Sequence, residues 1–98
     1  MKRLNVRADM FDGRVLECTT ALKDYVLYDT TQKRQKPPWG SLSENPSRWE
    51  AFVSWAALRR TGNYAGTFES FLDEADIVDA SAPEEAEVEP TTGDPGDD

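Results

Sequence analysis

The chain has 98 residues, which is enough for one small domain. It contains a single cysteine and no histidine, which excludes an intramolecular disulfide, histidine-dependent catalytic triads and most zinc sites. The formal charge of −8 is uneven, because residues 1–75 have 11 basic and 10 acidic side chains, whereas residues 76–98 have nine acidic and no basic ones. No apolar run approaches the roughly 20 residues that span a bilayer, and the N-terminus lacks the apolar segment of a secretory signal. We therefore expect an intracellular domain with an acidic tail and no membrane partner.

Residues 3–19 are predicted to form a β-hairpin, because apolar and polar residues alternate in its first half. A three-residue turn that ends at a left-handed Gly13 places Val6 opposite Cys18 and keeps one face apolar. A two-residue turn would instead place Val6 opposite Thr19. We therefore predict the longer turn, with Cys18 as a small core residue rather than a nucleophile.

A first helix is predicted over residues 21–35, with Thr20 as its N-cap and Pro37-Pro38 as its stop. The apolar spacing predicts that its buried stripe consists of Leu22, Tyr25 and Val26, with Leu27 and Tyr28 at the flanks. In the loop over residues 36–45, Trp39 and Leu42 are expected to fold back against the helices.

The central helix is the most strongly specified element. Asn45 is its predicted N-cap, Pro46 suits the first helical position, and Gly62 is expected to end the helix in a left-handed turn. Its apolar residues form two adjacent stripes and therefore a wide arc. The first stripe contains Trp49, Phe52, Val53 and Ala56, and the second contains Trp55 and Leu58. Such a helix must bury two sides, either within its own domain or against a partner.

A third helix is predicted to begin after Thr67 and to continue to about residue 79, with an apolar stripe of Phe68, Phe71, Leu72 and Ala75. Residues 81–98 are rich in proline, glycine and acidic side chains, which is typical of disorder. The predicted fold is therefore a small α+β domain over residues 1–80, with an N-terminal β-hairpin and three α-helices, followed by a disordered acidic C-terminal tail over residues 81–98.

Two charged clusters are weighed as sites. The acidic series of the third helix is interpreted as a solvated face rather than a metal or catalytic site, because it lacks the alternating ligands and central glycine of a calcium loop. The basic cluster before Trp39 is interpreted as charges that favour a helix C-terminus rather than as a nucleic-acid site. These clusters are Glu69, Asp73 and Asp76, and Lys33, Arg34 and Lys36. We expect no enzyme activity, no cofactor and no metal.

Three tryptophans are many for a small domain. Tryptophan is common both in cores and at the energetically important centres of interfaces, so the residues alone leave both roles open. The sequence pattern by itself predicts a small domain that binds another protein.

Three motifs, in this order, resemble the tail assembly chaperones of siphophages that infect actinobacteria. They are Asp24-Tyr25-Val26, the segment RWEAFVSWAALRR over residues 48–60, and Thr67-Phe68-Glu69-Ser70-Phe71, with Val88-Glu89-Pro90-Thr91 in the acidic tail. The resemblance covers most of residues 3–91. It implies a protein of the infected host cytoplasm that binds the tape measure protein, keeps it soluble and helps to recruit tail-tube subunits during tail morphogenesis. It also implies that this chain is the short form of a frameshifted pair.

The expected partner-binding residues are Trp39, Trp49, Phe52 and Trp55, which would receive a helix of the tape measure protein in an apolar groove. An open sheet edge is compatible with a homo-oligomer. The alternative hypothesis is a small acidic regulatory or inhibitory protein that mimics nucleic acid, in which the tail itself would bind a basic partner.

Overall fold

The computed structural model describes residues 3–82, which form one antiparallel sheet and three helices. In chain order the elements are β1 (Asn5–Met10), β2 (Val15–Thr19), α1 (Leu22–Lys33), α2 (Pro46–Arg60), α3 (Phe68–Glu74) and β3 (Ala75–Ser81). The sheet has the strand order β2-β1-β3, and the central helix α2 packs against one of its faces. The predicted α+β class, with a hairpin and three helices, is confirmed.

The hairpin has the predicted register. Val6 lies opposite Cys18 and Ala8 lies opposite Leu16, so the residues that face α2 are all apolar. The turn contains three residues and ends at Gly13, whose φ of 97° is the left-handed conformation that glycine adopts without strain. Cys18 is half-buried against the core, as expected.

Helix α1 begins one residue later than predicted, and Thr20 is not its cap. The N-cap is Ala21, whose N–H donates to the Asp24 carboxylate over 2.8 Å. The Thr20 hydroxyl instead accepts the Leu4 N–H at 2.8 Å and lies 2.6 Å from the Tyr25 hydroxyl. Thr20 therefore joins the hairpin to α1 rather than capping the helix.

The predicted buried stripe of α1 is also wrong, apart from Tyr25. Leu22 and Val26 are 66% and 54% exposed. The buried side of α1 is instead formed by Asp24, Tyr25, Tyr28 and Gln32. Polar and aromatic side chains hold α1 against the domain through hydrogen bonds and ring contacts, so its aliphatic residues are left in solvent.

Helix α2 has the predicted bounds, and the middle of the helix is buried on all sides. Pro46 is its first residue, and after its end at Arg60 the chain turns through Gly62, whose φ is 81°. Seven consecutive residues, 52–58, are buried. The wide apolar arc is thus covered by the sheet on one side and by α1 and α3 on the other, within its own domain.

Helix α3 is capped as predicted, because the Thr67 hydroxyl accepts the Ser70 N–H at 3.1 Å. It is shorter than predicted, however, and residues 75–81 form strand β3 along β1, with Leu72 half-exposed. Ile77 and Val78 are β-branched and favour extended backbone, and the open side of β1 satisfies their backbone groups. β3 extends to Ser81, one residue past the predicted domain boundary, and the tail prediction for residues 83–98 lies outside the described residues.

At each edge of the sheet, a charged side chain of α2 bonds one backbone group of the edge strand. The register directs the Ala80 N–H to the outer edge of β3, where it donates to the Glu50 carboxylate over 2.8 Å. At the outer edge of β2, the Thr19 carbonyl accepts Nη2 of Arg60 at 2.9 Å. Edge backbone groups invite pairing with other chains, so these two contacts protect the sheet as well as holding α2 across it.

Among the described residues, no helix has the length and hydropathy required to cross a membrane.

We expect Glu50→Ala to lower the free energy of unfolding by about 1–2 kcal/mol, because it removes a charged acceptor from a partly buried N–H. Glu50→Gln retains an acceptor oxygen and should lose clearly less. Urea unfolding followed by tryptophan fluorescence measures both variants. If Ala and Gln had equal effects, the contact with Ala80 would not contribute to stability.

Candidate functional site

An aromatic cluster centred on Phe52 joins the three helices. The Phe52 ring centroid lies 5.0 Å from that of Phe68, 5.2 Å from Trp55 and 5.5 Å from Tyr28. Trp39, from the loop between α1 and α2, completes the cluster at 5.9 Å from Phe52. Most of these pairs have the edge-to-face geometry that aromatic rings favour. The cluster therefore fixes the relative positions of α1, α2 and α3.

The loop that carries Trp39 is fastened to α1 by hydrogen bonds. The Gly40 N–H donates to Oε1 of Gln32 over 3.0 Å, and the Tyr28 hydroxyl donates to the Gly40 carbonyl over 2.6 Å. A tyrosine hydroxyl is protonated at neutral pH, and burial raises the pKa of Tyr28 further. Trp39 folds back as predicted and is half-buried, whereas Leu42 is 45% exposed, so the prediction for Leu42 is wrong.

A solvent-open depression, here called the α1–α2 groove, runs between these two helices. It consists of two adjoining parts of about 480 and 290 Å³, which share Leu27, Trp55 and Arg59. On α1 its wall follows residues four apart, which lie on one side of the helix. The α1 side contributes Lys23, Asp24, Leu27, Thr31 and Gln35, the α2 side contributes Phe52, Trp55, Ala56, Arg59 and Arg60, and Trp39, Thr67, Phe68 and Glu69 surround one end.

The other end of the groove is held by an ion pair between α1 and α2. Asp24 is only 2% exposed, and its two carboxylate oxygens accept Nε and Nη2 of Arg60 at 3.1 and 3.0 Å. The Arg60 guanidinium also donates to the Thr19 carbonyl. Its hydrogen bonds with the Asp24 carboxylate raise the pKa of Arg60. A buried carboxylate is stable only when it is paired in this way, so the contact fixes how α1 lies on α2.

The rim of the groove carries cations that have no acidic partner. Arg59 lies over the Trp55 ring at 5.7 Å, and Lys23 stands on the opposite wall. In the described part of the chain, neither Lys23 nor Arg59 forms an ion pair. The groove thus combines an apolar floor with positive charge that is free to meet carboxylates.

The structure brings together three of the four predicted partner-binding residues. Trp39, Phe52 and Trp55 line the groove, although Phe52 and Trp55 are only 3% and 9% exposed. Trp49 lies apart, half-buried and stacked on the Tyr25 ring at 5.6 Å.

Two exposed residues of the groove walls, Leu27 on α1 and Arg59 on α2, were not among the predicted site residues. Leu27 was placed at a flank because the apolar stripe of α1 was assigned to the wrong side. The sequence signal for this wall was the four-residue spacing of Lys23, Leu27 and Thr31.

No catalytic or metal chemistry is apparent in the described residues. Glu69 and Asp73 belong to α3, while Asp76 belongs to β3, so the predicted acidic series does not lie along one helix. Within residues 3–82, no group of three histidine, cysteine or acidic side chains is placed to hold a metal ion. Burial raises the pKa of Cys18, which keeps the thiol protonated and unreactive at neutral pH.

Comparison with known proteins found no matching family model, no matching curated protein and no matching solved structure.

We expect Asp24→Ala and Arg60→Ala each to lower the free energy of unfolding by about 2–4 kcal/mol, because each leaves the other member of a mostly buried pair without its partner. The double variant should lose at least about 1 kcal/mol less than the two single losses together. The exposed pair of Asp29 and Lys33 provides the control, and Asp29→Ala should cost under about 1 kcal/mol. Chemical unfolding measures all four variants. Additive losses at Asp24 and Arg60 would contradict the proposed coupling.

Proposed function

We propose that the protein is a tail assembly chaperone of a siphophage and acts in the host cytoplasm by binding the tape measure protein. The observation that carries this proposal is the α1–α2 groove, which has an apolar aromatic floor and an open side about as long as two helical turns. Grooves of this kind bind the apolar face of an amphipathic helix. The proposed role is binding without catalysis.

The motifs behind the resemblance build this groove together. Asp24, from the first motif, pairs with Arg60, the last residue of the second motif. Phe68, from the third motif, contacts Phe52 and Trp55 of the second. Residues that look unrelated along the chain therefore support one surface, which is the arrangement expected if the motifs serve a common binding function.

The surface and the tail suit a chaperone of a long apolar helical chain. The groove would cover part of the apolar surface of the tape measure protein, which aggregates when that surface is exposed to water. The acidic residues after position 82 would add negative charge that keeps the complex in solution. Exposed apolar side chains outside the groove, such as Phe11 and Ile77, offer a surface for tail-tube subunits or for a second copy.

Co-expression tests the proposal. The tagged protein is produced together with the longest protein encoded just downstream of its gene, and we expect that product to stay soluble and to co-elute. Leu27→Asp removes an apolar contact and places a carboxylate that competes with those of the partner for Lys23 and Arg59, so it should reduce recovery at least about tenfold. Val26→Asp is the matched control, because Val26 is adjacent and similarly exposed but lies outside the groove.

The proposal fails if the downstream product precipitates regardless, or if both aspartate variants reduce recovery equally. If the protein instead binds a basic DNA-binding partner, and that binding weakens steeply with salt, the nucleic-acid mimic becomes the better description.

A further inference from the structure

We propose that the α1–α2 groove selects helices that carry carboxylates beside their apolar stripe, in the part of the groove that extends from Lys23 and Arg60 to Arg59. The inference rests on the proposed function for the identity of the partner protein. It adds the chemical class of the helix that is recognised, and it specifies which end of that bound helix carries the carboxylates.

The shape of the groove sets the size of the segment. From Lys23 to Thr31 the α1 wall covers nine residues, which is about 12 Å of helix. Phe52 to Arg60 covers the same number of residues on α2. A third helix packed between them would contact both walls over roughly two turns and insert apolar side chains at a spacing of three and four residues. Leu27, Ala56 and Trp55 provide the apolar surface that those side chains would meet.

The charges of the groove are arranged asymmetrically. Lys23 and Arg60 lie on opposite walls near one end, although Arg60 is partly neutralised by Asp24. Arg59 lies where the two parts of the groove adjoin, and Glu69 stands at the opposite end. A helix with carboxylates on the side of Lys23 and Arg59 gains attraction there and avoids repulsion by Glu69 at the other end. A helix with the reverse charges meets like charges at both ends.

Arg59 is better suited to this task than a freely moving cation. Its guanidinium is already held over the Trp55 ring, so less side-chain entropy is lost when it meets a carboxylate. Because the same tryptophan forms part of the groove floor, the apolar and charged parts of the recognition adjoin each other.

Other occupants fit less well. Residues 83–98 contain seven carboxylates, but Val88 is their only apolar side chain besides alanine and proline, so this segment lacks the anchors for the floor. A nucleic acid could pair with the cations but would leave the apolar floor uncovered. A partner helix that is both acidic and apolar satisfies both parts of the groove.

Two synthetic peptides test the proposal on the full-length protein. Both are fluorescein-labelled 18-residue helices with the same leucine stripe, and they differ only in bearing glutamate or lysine beside one end of that stripe. Fluorescence anisotropy should show that the glutamate peptide binds about tenfold more tightly or more, from two or three charge pairs. Arg59→Glu should reverse this preference. Arg34→Glu makes the same charge change at an exposed position outside the groove and should leave the preference largely intact.

Equal binding of both peptides, failure of both to bind, or equal effects of the Arg59 and Arg34 variants would overturn the proposal. A variant with glutamine at positions 84, 85, 87 and 89 tests the tail as a competitor. If it bound the glutamate peptide more than tenfold more tightly than the natural chain, the groove would belong to the tail instead. Charge-selective peptide binding without co-elution of the tape measure protein would reject the proposed function alone, and co-elution without charge selectivity would reject this inference alone.

Discussion

The contact between Asp24 and Arg60 is the interaction on which the arrangement of this domain depends. It joins the start of α1 to the end of α2, and the same arginine also reaches the last carbonyl of β2. Asp24 is buried and would be strongly destabilising without its partner, so α1 is held at one position across α2. The groove between the two helices exists because of this position, and the aromatic cluster around Phe52 holds its opposite end.

The burial of the middle of α2 limits where a partner can bind. Residues 52–58 are packed between the sheet and the other helices, so Phe52 and Trp55 present at most an edge to the groove. The exposed contacts therefore come from the walls, mainly Leu27 and Arg59, and the tryptophans support them from below. This division explains how the aromatic residues can both stabilise the core and shape a binding surface.

Features set by neighbours along the chain were accessible from the sequence, whereas those set by distant contacts were not. The hairpin register and the bounds of α2 follow from alternation, a left-handed glycine and a proline at the helix start. The buried side of α1 could not be found from apolar spacing, because it is formed by Asp24, Tyr28 and Gln32 with partners elsewhere. β3 depends on pairing with β1 some 70 residues away. The walls of the groove likewise depend on contacts between distant segments and were not predicted, whereas the aromatic residues of its floor were.

The central claim, that the groove is where the tape measure protein binds, is tested most directly by site-specific photocrosslinking. A photoreactive amino acid is introduced at position 27, inside the groove, or at position 26, which is similarly exposed but does not line the groove. Each variant is co-expressed with the tape measure protein and irradiated in the cell. We predict crosslinks to the tape measure protein from position 27 and few from position 26. Crosslinks from position 26 alone, or equally from both positions, would contradict the account.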